Sequence, residues 1–123
     1  SKLMHEIYLI RNTFERIEEE FPEKSDRVSE IHLKVGLLSN VQPILITNAF
    51  KAFVMEFPQY YNTKLVVDTL PVIISCKCGA ETIVKMNRFV CGSCCAPCKN
   101  IIQGEELYIN EIKFNNKNEY DET

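Results

Sequence analysis

No run of uninterrupted apolar residues in this 123-residue chain comes near the ~20 that a membrane span requires, so no crossing segment is expected. A surplus of basic charge is missing too. The net charge of −3 removes the usual electrostatic reason to look for nucleic acid as a partner. The chain has no glycine-rich nucleotide loop and no residue set that suggests an enzyme, so any energy input to its function has to come from a partner. Internal repeats and low-complexity tracts are also lacking. Finally, there is no cysteine outside residues 76–98 and no apolar signal segment, which argues against a secreted disulfide scaffold and for a compact cytoplasmic protein.

What is present is a dense cysteine segment. Cys76-Lys77-Cys78-Gly79 and Cys91-Gly92-Ser93-Cys94 form two closely spaced pairs, the pattern of a four-thiolate site for a tetrahedral d¹⁰ ion such as Zn²⁺. Gly79 and Gly92 are positioned to supply the positive φ that a chain folding around a metal often needs. Cys95 and Cys98 extend the second pair, so its knuckle is either Cys91/Cys94 or Cys95/Cys98. A redox Cys-x-x-Cys is expected at a helix N-terminus, where the thiol pKa is lowered. Here the motif follows Arg88-Phe89-Val90 and is followed by Pro97, with no amphipathic helix after it.

Around that segment the pattern reads helix, strand, helix, strand, metal module, strand. Ile7, Ile10, Phe14, Ile17 and Phe21 recur at helical spacing, and Pro22 ends the helix. Ile31, Leu33 and Val35 alternate with Glu30, His32 and Lys34 in a half-buried strand closed by Gly36. Ser39 or Asn40 caps a second helix with Pro43 in its first turn and Ile46, Phe50, Phe53 and Phe57 as its apolar stripe, before Pro58. Strands are expected over Leu65-Val66-Val67-Asp68-Thr69-Leu70 and from Leu107 to Phe114. The fold class is therefore α+β, with two helices on a three-stranded sheet and a small four-cysteine module inserted before the last strand. Residues 1–71 and 105–123 form the α+β domain, with 115–123 as a disordered tail. Residues 72–104 form a module attached near Pro71 and Gly104, too small to fold without its metal.

Met4-His5-Glu6, Val35-Gly36-Leu37-Leu38-Ser39, Asn48-Ala49-Phe50, Cys78-Gly79, Cys91-x-x-Cys94 and Gly104-Glu105-Glu106-Leu107-Tyr108-Ile109 occur in that order. From Met4 to about Phe114 the chain resembles the nickel-insertion chaperones of the HypA/HybF type. The resemblance implies a structural zinc on Cys76, Cys78, Cys91 and Cys94. The family's ten-residue step to Gly104 starts from Cys94, which selects it over Cys98. It also implies nickel cargo held around Met4, His5 and Glu6, and a role in maturing [NiFe]-hydrogenase, with urease as a second client class. The implied partners are a HypB-type GTPase and the hydrogenase large subunit, and the implied state is a monomer or weak homodimer.

Three features depart from the family pattern. A single residue separates Cys76 from Cys78, Cys95 and Cys98 are additional thiols, and Ser1-Lys2-Leu3 precedes the methionine at which the family chain normally starts. Two other classes compete. A zinc-ribbon adaptor would use the positive charge of Lys77, Lys85, Arg88 and Lys99, but Phe89 alone makes no stacking platform. A rubredoxin-like electron carrier has no need of the helical domain.

Overall fold

The computed structural model describes residues 2–115, with side chains from Glu6 onward. The element order is α1 (Lys2–Glu20), β1 (Val28–Gly36), α2 (Pro43–Glu56), β2 (Lys64–Leu70), β3 (Ile73–Ser75), β4 (Glu81–Ile83), β5 (Ile101–Gln103) and β6 (Leu107–Phe114), with 3-10 turns at Ser25–Arg27 and Pro58–Tyr60. Two three-stranded sheets result, ordered β2-β1-β6 and β4-β3-β5. The first is the sheet expected from the sequence. The second is built within the cysteine module, for which the sequence reading describes no sheet.

The buried stripe of α1 is Glu6, Ile10, Phe14 and Ile17, steps of four, four and three that keep one helical face inward. Ile7, expected on that face, is only half-buried, and a carboxylate residue holds the inward position in its place. In α2 the buried residues are Ile46, Ala49, Phe50 and Phe53, while Phe57 is exposed at the helix end. The C-terminal halves of the helices lie side by side. Phe14 stacks on Phe53 at 4.7 Å between centroids, and Tyr60 donates to Glu18 Oε1 at 2.5 Å. Neither Ser39 nor Asn40 caps α2. Its N-cap is Gln42, without a side-chain cap bond, because Ser39 Oγ instead accepts the Val41 N–H at 3.3 Å and rounds the preceding turn.

Hydrogen bonds at its two ends fix the direction of β6. Asn115 N–H donates to the Arg27 carbonyl at 2.7 Å, and Gly36 N–H to the Glu106 carbonyl at 2.8 Å, so β6 runs antiparallel to β1. Asn115 is thus tied to the sheet, while residues 116–123, the remainder of the expected tail, lie outside the described residues.

Two compact units make up the chain. The first comprises Ser1–Leu33, Gln42–Asp68 and Ile109–Thr123, and the second Lys34–Val41 and Thr69–Tyr108. The second unit therefore includes not only the cysteine segment but also the connection that leads from β1 to α2. Leu37 N–H donates to the Leu70 carbonyl at 3.1 Å and Leu38 N–H to the Gly104 carbonyl at 2.7 Å, tying that connection to the stretches that enter and leave the cysteine segment. Gly36 is required here because a Cβ at this position would overlap the Gly104 carbonyl. Gly104 has φ +124 and lies against Val72, so it too must lack a side chain.

Candidate metal centre

Each knuckle is the turn of a short hairpin. In the first, β3 and β4 pair antiparallel through Ile73↔Ile83, Ile74↔Thr82 and Ser75↔Glu81, and the turn between them carries Cys76 and Cys78. Cys76 N–H donates to the Ala80 carbonyl and Gly79 N–H to the Cys76 carbonyl, both at 2.9 Å, with Gly79 at φ +97. The tight spacing of one residue is thus absorbed by a turn with a glycine in the left-handed region. In the second knuckle Val90 bridges Pro97, and Cys91 N–H donates to the Ala96 carbonyl at 2.9 Å. Gly92 does not take the positive φ expected of it. Cys95 does, at φ +64, so the second loop turns one residue after Cys94, while Gly92 N–H donates to Thr82 Oγ1 at 2.9 Å.

These turns bring together the sulfurs of Cys76, Cys78, Cys91 and Cys94, which all lie within 4.8 Å of one another. The closest separations are 3.6 Å for Cys76 to Cys94 and 3.7 Å for Cys78 to Cys91. A tetrahedral zinc with ~2.3 Å bonds places its sulfurs about 3.8 Å apart, so the cluster fits a four-thiolate zinc site. Cys95 and Cys98 are not in the cluster. Cys95 is exposed, and Cys98 is buried with its thiol donating to the Ser75 carbonyl at 3.2 Å.

Electrostatics point the same way. The Cys91 sulfur accepts hydrogen bonds from the N–H groups of Cys94 at 3.5 Å and Ser93 at 3.4 Å in the second turn. Those two N–H groups, the Cys94 one foremost, bring the Cys91 thiol down to about 6. The Ala96 N–H favours the Cys94 thiolate as well, but it is outweighed by the sulfurs of Cys76 and Cys91, and the Cys94 thiol is pushed up to about 12. Cys78 follows the same pattern. Its Ala80 N–H bond is outweighed by the Cys91 and Cys76 sulfurs, and the thiol is raised. Four thiolates this close cannot all be charged on their own, and a bound dication would make all four ionised together.

Among the residues expected at the N-terminus, Met4 and His5 lie in α1, and their side chains fall outside the described ones. Glu6 is 1% exposed, and neither carboxylate oxygen has a hydrogen-bond partner. That carboxylate was legible as part of a motif, but its burial was not, because a glutamate one position from Ile7 reads as the polar side of a helix. His32 is half-buried on β1 with Nε2 3.0 Å from Glu30 Oε1, an ordinary polar-face pair.

With this geometry in place, comparison with known proteins is decisive. A family model described as hydrogenase/urease nickel incorporation, metallochaperone, hypA matches residues 4–114. The chain belongs to the HypA family. Its relatives include the hydrogenase maturation factor HypA of Campylobacter jejuni, 33% identical over 111 residues that span 89% of this chain and 97% of that protein. The Moorella thermoacetica HypA is 32% identical over 109 residues, 87% of this chain and 96% of the relative. Two solution structures share the fold. The Ni metallochaperone HypA of Helicobacter pylori superposes with a TM-score of 0.58 at 17% identity, covering 88% of this chain and 92% of that one. A second HypA structure gives 0.64 at 20% identity, covering 90% and 96%. Membership of the family makes this chain a nickel metallochaperone with a four-cysteine cluster suited to structural zinc.

Proposed function

We propose that Ni²⁺ is held at the start of α1 by His5, with Met4, Glu6 and adjacent backbone, and that the protein delivers it to a maturing [NiFe]-hydrogenase. The observation that carries this reading is the Glu6 carboxylate, buried and without a hydrogen-bond partner at either oxygen. A buried carboxylate left uncompensated is costly, and an arriving cation relieves that cost. An imidazole one residue away supplies the nitrogen donor that Ni²⁺ favours. A site built on one imidazole, one carboxylate and a helix end is also easier to dismantle than four thiolates, which suits a protein that must release its cargo.

Zinc has the complementary role. Cys76, Cys78, Cys91 and Cys94 would hold it, and when bound it supplies the cross-link that stabilises a unit too small to fold on apolar burial alone. The partners are a GTPase of the HypB type, needed because the chain has no nucleotide loop of its own, and the hydrogenase large subunit; urease is the second client class. None of the helices among the described residues is long and apolar enough to cross a membrane, and delivery is assigned to the cytoplasm, where the client apoproteins would be met. Nickel titration of the zinc-loaded protein tests the reading. His5→Ala should abolish nickel binding and Glu6→Gln weaken it, with zinc content and fold unchanged, and undiminished affinity in His5→Ala would sink the assignment.

A further inference from the structure

A cavity of about 590 Å³ opens beside the thiol cluster. Its lining includes three of the four clustered cysteines, Cys76, Cys78 and Cys94, together with two cations, Lys77 and Lys99. Cys91 does not line it and is 1% exposed, whereas Cys78 and Cys94 are exposed. One side of the cluster is therefore walled and the other is open to a small molecule, with positive charge at the opening. Cys95 is exposed but lies outside this cavity, and Cys98, which does line it, is buried and engaged with the Ser75 carbonyl.

We propose that this cavity admits a low-molecular-weight anionic disulfide, which oxidises Cys94 and Cys76 to a disulfide and dismantles the zinc site. The inference rests on the assignment of zinc to these four cysteines. Cys94 and Cys76 are the neighbouring sulfurs that both line the cavity, with Cys94 the more exposed, whereas the near neighbour of Cys78 is the walled Cys91. The Cys94 sulfur attacks one sulfur of the incoming disulfide, whose S–S bond breaks, and the first small thiolate leaves. The Cys76 sulfur, 3.6 Å away, then attacks the Cys94 sulfur of the mixed disulfide and expels the second small thiolate. Two protein thiolates have lost two electrons, and the incoming disulfide has gained them as two thiolates that take protons from water. Closing the new bond to ~2.05 Å removes two of the four zinc ligands at once. Lys77 and Lys99 set the charge preference, since a cationic rim raises the local concentration of an anion.

The test uses the zinc-loaded full chain, with zinc content measured beforehand, so that failure of the metal assignment is seen separately. Glutathione disulfide, which is anionic, is compared with cystamine, which is cationic. Zinc release is followed with a chromogenic chelator, and adducts are mapped by peptide mass spectrometry. The expected result is faster release by glutathione disulfide, a first adduct on Cys94, and a Cys76–Cys94 disulfide in the product. Lys77→Glu/Lys99→Glu should slow glutathione disulfide about tenfold without slowing cystamine. Cys95→Ala and Cys98→Ala should release zinc at the unaltered rate. A first adduct on Cys95 or Cys98, or equal rates for the two disulfides, overturns the proposal. The mapping is done on the unaltered chain, so it decides the matter even if the lysine variants fail to fold, and it can be read whether or not zinc is present.

Discussion

Gly36 and Gly104 touch within the second unit, so closely that a methyl in place of a hydrogen on Gly36 would strike the Gly104 carbonyl. The contact is framed by the bonds from Gly36 N–H to the Glu106 carbonyl at 2.8 Å and from Leu38 N–H to the Gly104 carbonyl at 2.7 Å. Backbone on both sides leaves no flexible side chain to move aside. Gly36→Ala is therefore expected to destabilise the protein by about 2 kcal/mol or more, measured by urea unfolding of the zinc-loaded form. An unchanged midpoint would show that the crossing can open freely.

Removal of one clustered cysteine should have a different signature from removal of a spare one. Cys91→Ala takes away the most buried sulfur of the four, together with the acceptor for the Ser93 and Cys94 N–H groups. Loss of stoichiometric zinc and of protection in the β3, β4 and β5 strands is expected, read by metal analysis and hydrogen exchange. Cys95→Ala and Cys98→Ala should each retain one zinc per chain. Full zinc in Cys91→Ala would reassign the second knuckle to the spare pair.

Zinc affinity should fall steeply as the solution is acidified. Cys91, at about 6, is already ionised at neutral pH, whereas Cys78 and Cys94 are raised and protonated in the metal-free cluster, so binding must displace at least their two protons. Each displaced proton makes affinity change about tenfold per pH unit, so a change of at least about a hundredfold per unit is expected between pH 6 and 8, with a further tenfold once Cys91 also protonates below about 6. Competition with a chelator across this range measures the slope. A slope of zero would mean that the thiols are ionised without metal.

Tyr60 provides a pH marker for the other unit. Burial foremost, then its bond to Glu18, holds the Tyr60 phenol well above its ordinary value, so the folded state keeps this proton after the unfolded chain has lost it. The contribution is complete below about pH 10 and is lost as pH rises beyond that, because the unfolded state then binds fewer protons. Tyr60→Phe should cost about 1 kcal/mol at neutral pH through loss of the 2.5 Å bond to Glu18, and should flatten the alkaline decline in melting temperature.

Much of this architecture can be read from residue order because each part has its own local cause. Pro22, Pro43 and Pro58 bracket the helices, the alternation from Ile31 to Val35 marks a strand with one wet face, and Leu107–Phe114 has the length and composition of the last strand. What could not be read depends on partners distant in sequence. β4 and β5 are three residues each; the turn at Cys76 brings β4 onto Ile73–Ser75, while β5 reaches the same strand only after the whole cysteine segment has passed. The inward placement of Glu6 in place of Ile7 is a matter of tertiary packing, whereas a hydrophobic pattern favours the isoleucine. Gly92 had the chemistry for a left-handed turn, yet Cys95 took it, since loop closure was decided by the bridge from Val90 to Pro97.

Because Lys34–Val41 is built into the same unit as the cysteines, that unit is assembled from two separate stretches of chain. A chimera that exchanges residues 72–104 for those of a relative would therefore transplant only part of a unit, leaving Gly36 and Leu38 to meet a foreign Gly104. Functional exchange between relatives requires the loop ahead of α2 to travel with the thiols, and variation among family members at these two places is expected to occur in step.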